Sequence, residues 1–401
     1  MLVLEYKVKA KPSQYRAIDE AIRTVQFIRN KSIRYWMDAQ KEDQIDRFAL
    51  NKYSTKLRQE FTFVKELNAM AVQAAAERGW LSISRFYDNC KKKKPGKKGY
   101  PKFQRDNRSV EYKTSGLSLA STKRRITFTD KKSIGELKLL GKWDIHTYPV
   151  TAIKRVRLVR RADGYYCQFC IHVECIEIQP QTGKEIGLDV GLESFYTDSN
   201  GHHEPNPKFL RSSESSIKHT QRQIYKKKKG SNNRRKARAR YSKKHLRVSR
   251  QRTEHAKRLA RHVCRSNDLV AYEDLKVSNM LKNHCLAKSI ADASWYLFLM
   301  WIDYFAAKFG KVAIAVPPHY TSQQCSQCKR VVRKSLSART HVCVCGCNLH
   351  RDINAAINIL LKAKSRDGQS RSNANGVGTS TLLGESLVEQ VLTLKLESPS
   401  L

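Results

Sequence analysis

Thr321-Ser-Gln-Gln-Cys325-Ser-Gln-Cys328, Cys343-Val-Cys345-Gly346 and His350-Arg351-Asp352-Ile-Asn354-Ala355 follow one another in the last quarter of this chain. Paired cysteines let several thiolates share one ion, and here they run directly into a carboxylate on a helix-forming stretch. Two earlier acids give Asp352 its meaning. Asp189 lies in Ile186-Gly-Leu-Asp-Val-Gly191 and Glu273 in Leu269-Val-Ala-Tyr-Glu-Asp-Leu275, each on an apolar, strand-like run. A carboxylate on a buried strand is costly unless a metal or a basic group compensates its charge. Taken alone, Asp189 is equally well an ordinary strand-end aspartate. Three acids, one after each of two apolar strands and one opening a helix after a third, fit a site where strand ends converge. Hard oxygen ligands favour Mg2+ or Mn2+, and a pair of such ions suits phosphodiester hydrolysis.

Composition points to a polyanionic partner. The 401 residues carry a formal charge of +41 and a pI near 10.0, which nucleic acid neutralises best. No run approaches the ~20 apolar residues of a membrane span, and the opening Met-Leu-Val-Leu-Glu-Tyr lacks the basic region and cleavage site of a signal peptide. The expectation is an intracellular protein, cytoplasmic or nucleoid-associated if prokaryotic, with no membrane partner. With 40% hydrophobic residues the chain can bury two or three cores. Eleven cysteines in a reducing compartment argue for thiols and metal over a disulfide framework.

Periodicity gives the order of elements. Residues 2–9 alternate as a strand, and residues 12–87 carry a helical pattern. Residues 91–101, Lys-Lys-Lys-Lys-Pro-Gly-Lys-Lys-Gly-Tyr-Pro, read as a basic linker. Strand patterns return over residues 109–177, including 125–129, 136–140 and 165–173, as in a β-rich barrel with a helical insertion after its first strand. From about residue 184 strands and helices alternate, as an α/β domain requires. Residues 186–196 read as one strand and 217–265 as a basic helical run in which Glu254 is the only acid. A strand over 269–274 precedes a helix opened by a Ser289-Ile-Ala-Asp292 capping pattern, with Phe298, Ile302, Phe305 and Phe309 on one buried stripe and Gly310 as its stop. Residues 311–316 form another buried strand. Order should fade beyond residue 364, with a short element over 387–396.

Gly187-Leu-Asp189-Val-Gly191, Tyr272-Glu273-Asp-Leu275, Ser289-Ile-Ala-Asp-Ala-Ser-Trp295, Tyr320-Thr-Ser-Gln-Gln-Cys325 and Arg351-Asp352-Ile-Asn354-Ala355, in this order, resemble TnpB. That is the family of transposon-encoded RNA-guided nucleases related to type V CRISPR effectors. The match is strong over residues 184–361 and looser before. The resemblance implies a multidomain α+β protein. A β-barrel-like wedge domain (1–10 and 105–180) would hold a helical recognition domain (11–104). An RNase H-like, RuvC-type α/β nuclease domain (181–318 and 349–364) would follow, with an inserted zinc ribbon (319–348) and a largely flexible tail (365–401). It makes Asp189, Glu273 and Asp352 the catalytic, Mg2+-binding or Mn2+-binding triad, with two ions. Its partners would be a guide RNA derived from the transposon end and double-stranded target DNA cut beside a short flanking motif, most simply with one protein monomer per RNA.

The cysteine spacing calls for one structural zinc, but the second pair departs from the family's Cys-x2-Cys. The distance to Arg351-Asp352 puts Cys345 in the family's last ligand position, leaving Cys343, one residue too close, beside Cys325 and Cys328. Cys347 competes for the fourth place. Cys167 and Cys170 have the right spacing but lie in a strand, where residues three apart face opposite sides, so core is the better account. Cys90, Cys175, Cys264 and Cys285 carry no case. Lys226, Lys227, Lys228, Lys229, Arg234, Arg235, Arg238 and Arg240 are candidate phosphate contacts. Tyr53, Gln73 and residues 113–115 are candidate motif readers by loose resemblance. A nuclease-dead DNA-binding relative, an RNA-binding zinc-ribbon protein and a strand-joining transposase each share part of this pattern. The complete acid trio favours the nuclease.

Overall fold

The computed structural model describes residues 2–40, 43–120, 124–173, 176–333, 335 and 338–373, which fall into two compact units, one on either side of residues 174–175.

In the first unit the elements are β1 (Leu2–Lys9), α1 (Pro12–Asp38), α2 (Arg47–Glu60), α3 (Thr62–Lys65), α4 (Ala69–Lys91), β2 (Ser109–Lys113), β3 (Leu117–Leu119), β4 (Arg125–Phe128), β5 (Gly135–Leu140), β6 (Ile153–Arg161) and β7 (Gly164–Ile171). The seven strands form one antiparallel sheet in the order β2-β6-β7-β1-β5-β4-β3. Alternation in β1 buries Leu4, Tyr6 and Val8, and these join Ala17, Ile18, Ala21, Ile22, Val25 and Ile28 of α1 in one core, the helical spacing of the latter making a single apolar face. The Gln14 side chain donates to the Ile134 and Glu136 carbonyls at 2.7 and 2.9 Å, fixing the start of α1 against β5. Asn68 caps α4 by accepting from the Met70 amide at 2.8 Å. Both Cys167 and Cys170 are buried in β7, as the strand reading required.

The second unit contains β8 (Glu185–Val190), β9 (Ser194–Asp198), β10 (His203–Pro205), α5 (Phe209–Tyr225), α6 (Asn232–Ser266), β11 (Leu269–Glu273), α7 (Val277–Met280), α8 (Ala287–Ala293), α9 (Trp295–Phe309), β12 (Val312–Val316), β13 (Thr340–Val342), β14 (Asn348–His350) and α10 (Arg351–Asn373). Its sheet runs β10-β9-β8-β11-β12, with β8, β11 and β12 parallel and β9 and β10 antiparallel. Phe298, Ile302, Phe305 and Phe309 of α9 pack in one core with Ile186, Leu188, Val270 and Tyr272, and Gly310 ends the helix at φ +68. Among the described residues no helix is long and apolar enough to cross a membrane.

Four expectations need correction. Residues 186–196 are two strands folded into a hairpin, with a turn at 191–193; alternation reads alike on both arms, so periodicity hides the reversal. The basic run 217–265 is likewise two helices, α5 beginning already at Phe209, broken at residues 226–231, where Gly230 takes φ +86 and the Ser231 hydroxyl caps α6 through the Arg234 amide at 3.1 Å. The Ser289–Asp292 pattern lies inside α8 and does not cap α9, whose N-cap is Ser294. Asp292 instead accepts from the Leu210 and Arg211 amides at 2.8 and 3.1 Å, capping α5 from across the fold. Finally, α10 continues past residue 364 to Asn373. Residues 387–396 and Cys175 lie outside the described residues.

Candidate active site and metal knuckle

Parallel pairing sets the first two acids side by side. The register of β8 and β11 runs from Glu185 opposite Leu269 to Leu188 opposite Tyr272, so the next positions, Asp189 and Glu273, stand at neighbouring carboxyl ends of the sheet. Asp352 comes from the first turn of α10, which packs on β8. Gly187 makes that packing possible: a Cβ there would lie 2.1 Å from the Ala356 carbonyl oxygen and 3.0 Å from Leu360 Cβ. Ala356 is one helical turn beyond Asp352, so the close approach at Gly187 carries Asp352 toward Asp189.

The electrostatics report the same convergence. Burial, then the Glu273 carboxylate, then that of Asp352 push the Asp189 carboxyl well above its ordinary range, opposed by Arg351. Burial also raises Glu273, against the Thr321 hydroxyl, which donates to it at 2.5 Å, and the Lys362 ammonium. Arg351 Nε lies 3.2 Å from Asp352. All three acids keep some exposed surface, so the group is reachable. An all-oxygen set that resists its own ionisation fits a hard divalent cation. The three carboxylates act on one another at longer range than the cysteines do: among the described residues, the sets whose ligand atoms all lie within 4.8 Å of one another are both in the knuckle.

The knuckle gathers Cys325, Cys328, Cys343 and Cys345. The Cys325 and Cys345 sulfurs are 3.6 Å apart and those of Cys328 and Cys343 3.5 Å apart. Four thiols so placed suit a closed tetrahedral zinc site. A second set, Cys325, His341 and Cys347, shares one sulfur with the first. The sequence reading missed His341, because a lone histidine two residues before a cysteine has no ligand spacing of its own. It also missed what ties the knuckle to the acids. Asn354 of α10 accepts from the Ser326 amide at 2.9 Å and donates to the Gln324 carbonyl at 2.8 Å; Asn358, one turn on, donates to the Thr321 and Gln324 carbonyls at 3.0 and 2.6 Å. Both asparagines are buried. One helix therefore holds Asp352, the strand contact and the start of the knuckle. On the far side of the acids, Trp295 Nε1 donates to the Gly191 carbonyl at 3.1 Å, fixing the turn after Asp189.

The proposed nucleic-acid contacts are distributed. Lys226, Lys227, Lys228 and Lys229 occupy the exposed turn between α5 and α6, and Arg235, Arg238 and Arg240 lie exposed on α6. Arg234 is engaged locally, donating to the Ile224 and Lys227 carbonyls at 3.2 and 3.0 Å. In the first unit, Tyr53 stacks on Tyr35 with centroids 4.2 Å apart, and Gln73 accepts from Lys113 Nζ at 3.1 Å. Lys113 also pairs with the buried Glu77 at 2.6 Å.

Two family models match the chain: "Probable transposase" over residues 168–284 and "Cas12f1-like, TNB domain" over residues 295–359. A "Putative RNA-guided DNA endonuclease" of Streptomyces pristinaespiralis is 27% identical over 365 residues, 89% of this chain and 88% of that protein. "Putative RNA-guided DNA endonuclease InsQ" of Escherichia coli strain K12 is 28% identical over 226 residues, 52% of this chain and 56% of that protein. Among solved structures, a chain of a "Cas12f1-sgRNA-target DNA complex" shares the fold with a TM-score of 0.50 at 13% identity, covering 86% of this chain and 81% of that one. The first family match carries Asp189 and Glu273, the second carries the cysteines and Asp352, and the Streptomyces relative is similar along most of the chain: together they support a TnpB-family protein.

Proposed function

We propose that this protein is an RNA-guided, metal-dependent endonuclease associated with a transposon, cutting double-stranded DNA beside a short flanking motif. The observation that carries the reading is the convergence of Asp189, Glu273 and Asp352 from two parallel strand ends and one helix N-terminus, with burial raising Asp189 and Glu273 and the two neighbouring carboxylates raising Asp189 further. The names of the curated relatives supply the RNA-guided and DNA-cleaving parts. Two parallel crossovers beside an antiparallel meander, in the order β10-β9-β8-β11-β12, support an RNase H-like nuclease domain. The antiparallel sheet with its helical insertion supports the wedge and recognition assignments, with Tyr53 and Gln73 as candidate motif readers.

Asp189, Glu273 and Asp352 would hold Mg2+ or Mn2+, which when bound supplies an activated water and neutralises charge on the scissile phosphate. Thr321 orients the Glu273 carboxylate, and Arg351 lies beside that of Asp352. The cysteine knuckle, holding one zinc through Cys325, Cys328, Cys343 and Cys345, acts structurally, because four thiolates leave no position for water. The exposed lysines and arginines of the α5–α6 hairpin track phosphate backbone, while base pairing selects the target.

The test uses the protein purified with its copurifying RNA, which is sequenced, then incubated with Mg2+ and a supercoiled plasmid bearing the matching site. Linear product is expected, without strand joining, and a replaced guide segment should redirect cutting to the new sequence. A redirected complex that still cuts the old site, or cuts any duplex equally, would leave a general metal-dependent nuclease as the better account.

A further inference from the structure

The knuckle holds more donors than one tetrahedral ion uses. Its two ligand sets meet at Cys325 and differ in exposure: Cys328 and Cys345 are exposed, whereas Cys325, His341, Cys343 and Cys347 are buried. The hairpin explains this division. His341 of β13 pairs with Leu349 of β14, and the Cys343 amide donates to the Cys347 carbonyl at 2.9 Å, closing a turn in which Gly346 takes φ +86. Cys343 and Cys347 are buried on the two arms, while Cys345 at the tip is exposed.

His341 is the unusual member. It has no exposed surface, and neither ring nitrogen completes a hydrogen bond, although a ring nitrogen and the Cys325 sulfur lie within 4.8 Å of one another. Buried imidazoles ordinarily satisfy at least one nitrogen. The sulfurs of Cys325 and Cys347 both lie within 4.8 Å of a ring nitrogen. A neutral imidazole and a thiolate are both good zinc donors, and exchanging one thiolate for an imidazole lessens the negative charge gathered in a buried site.

We propose that Cys325, His341 and Cys347 are a reserve ligand set, beside Cys343, into which the zinc moves when the exposed Cys345 is lost as a ligand. On exchange Cys347 would give up its thiol proton to solvent and His341 would bind through a neutral ring nitrogen, while the exposed Cys328 thiolate would leave the ion and take up a proton from solvent. The inference rests on reading the knuckle as a zinc site. It differs from a role for His341 as a hydrogen-bond donor to a thiolate, because such a donor would not retain metal once a ligand is gone.

The test measures zinc per chain, by elemental analysis of the full chain after exhaustive dialysis, together with the absorption of the Co2+-substituted protein. Wild type should hold about one zinc. Cys345→Ser should still hold about one, with a changed Co2+ spectrum. Adding Cys347→Ala or His341→Gln to Cys345→Ser should lower retention several-fold, whereas Cys347→Ala alone should keep its zinc, which also establishes that the knuckle folds without that thiol. Cys345→Ser losing its metal by itself, or the double variants keeping theirs, overturns the reserve set. A wild-type content near two would mean that both sets fill together and overturns it as well. A wild type with no zinc removes the zinc reading of the knuckle itself.

Discussion

Asp189 meets three obstacles to ionisation, burial first, then the carboxylates of Glu273 and Asp352, with only Arg351 opposing them. Its folded pKa is raised, as is that of Glu273, so the stability each lends is complete below the unfolded carboxylate range near ~4 and is lost as pH rises through the folded value. The metal-free protein should therefore lose thermal stability as pH climbs from about 4 toward neutrality. Mg2+ should restore it, more strongly at the higher pH. Asp189→Asn should flatten both trends, and scanning calorimetry across pH with and without Mg2+ reads them; a stabilisation by Mg2+ unchanged in Asp189→Asn would place the ion elsewhere. In the RNA complex, Asp189→Ala, Glu273→Ala and Asp352→Ala should each abolish cleavage while leaving RNA and target binding nearly intact. Double changes should cost little more than single ones, because the acids act as a unit. Measured additivity would argue against a shared site.

Helix α10 links the site's parts, and its seat on β8 depends on Gly187. Gly187→Ala sets a methyl 2.1 Å from a backbone oxygen, a clash that only a shift of the helix relieves. Overpacking of this kind costs about 1–3 kcal/mol, and the shift carries Asp352 with it. Lower stability in urea and a loss of cutting larger than the loss of target binding are expected; unchanged stability would mean that α10 sits elsewhere. A comparable long-range device holds the α5–α6 hairpin. Asp292 caps α5 and pairs with Arg252 at 2.8 Å, and both are largely buried. Asp292→Ala should destabilise by about 3 kcal/mol, combining a lost cap with an unpaired guanidinium. In a double-mutant cycle, Arg252→Met should recover part of that loss. Additive losses would separate the two residues energetically.

For the whole molecule, a charge of +41 dominates behaviour toward nucleic acid. The protein without RNA should bind duplex DNA nonspecifically, with a log-log salt slope of roughly −0.9 for each phosphate neutralised, so that affinity falls by orders of magnitude as salt rises. On the proposed backbone role, replacing Lys226, Lys227, Lys228 and Lys229 by Ala should make the slope shallower without changing which sequence is cut, because contacts to phosphate carry no sequence information. Fluorescence anisotropy against salt measures the first effect and cleavage of guide-matched plasmids the second. An unchanged slope would remove that turn from the nucleic-acid surface.

The sequence by itself determined the elements whose signal is local. The strand around Asp189, the aromatic stripe of α9, its Gly310 stop and the cysteine spacing all follow from neighbours a few residues apart, where periodicity and backbone chemistry decide. The order of the motifs was equally legible, and with it the resemblance to TnpB. Tertiary structure decided what depends on residues distant along the chain. Register between β8 and β11, over 80 residues apart, set Asp189 beside Glu273. A missing Cβ at Gly187 let α10 approach. Asp292 met the amides of a helix it does not belong to. His341 became a candidate ligand beside Cys347 only when the hairpin brought both close to Cys325. Side-chain direction in a turn, and the partner of a buried polar group, are properties of packing, and no window of sequence contains them.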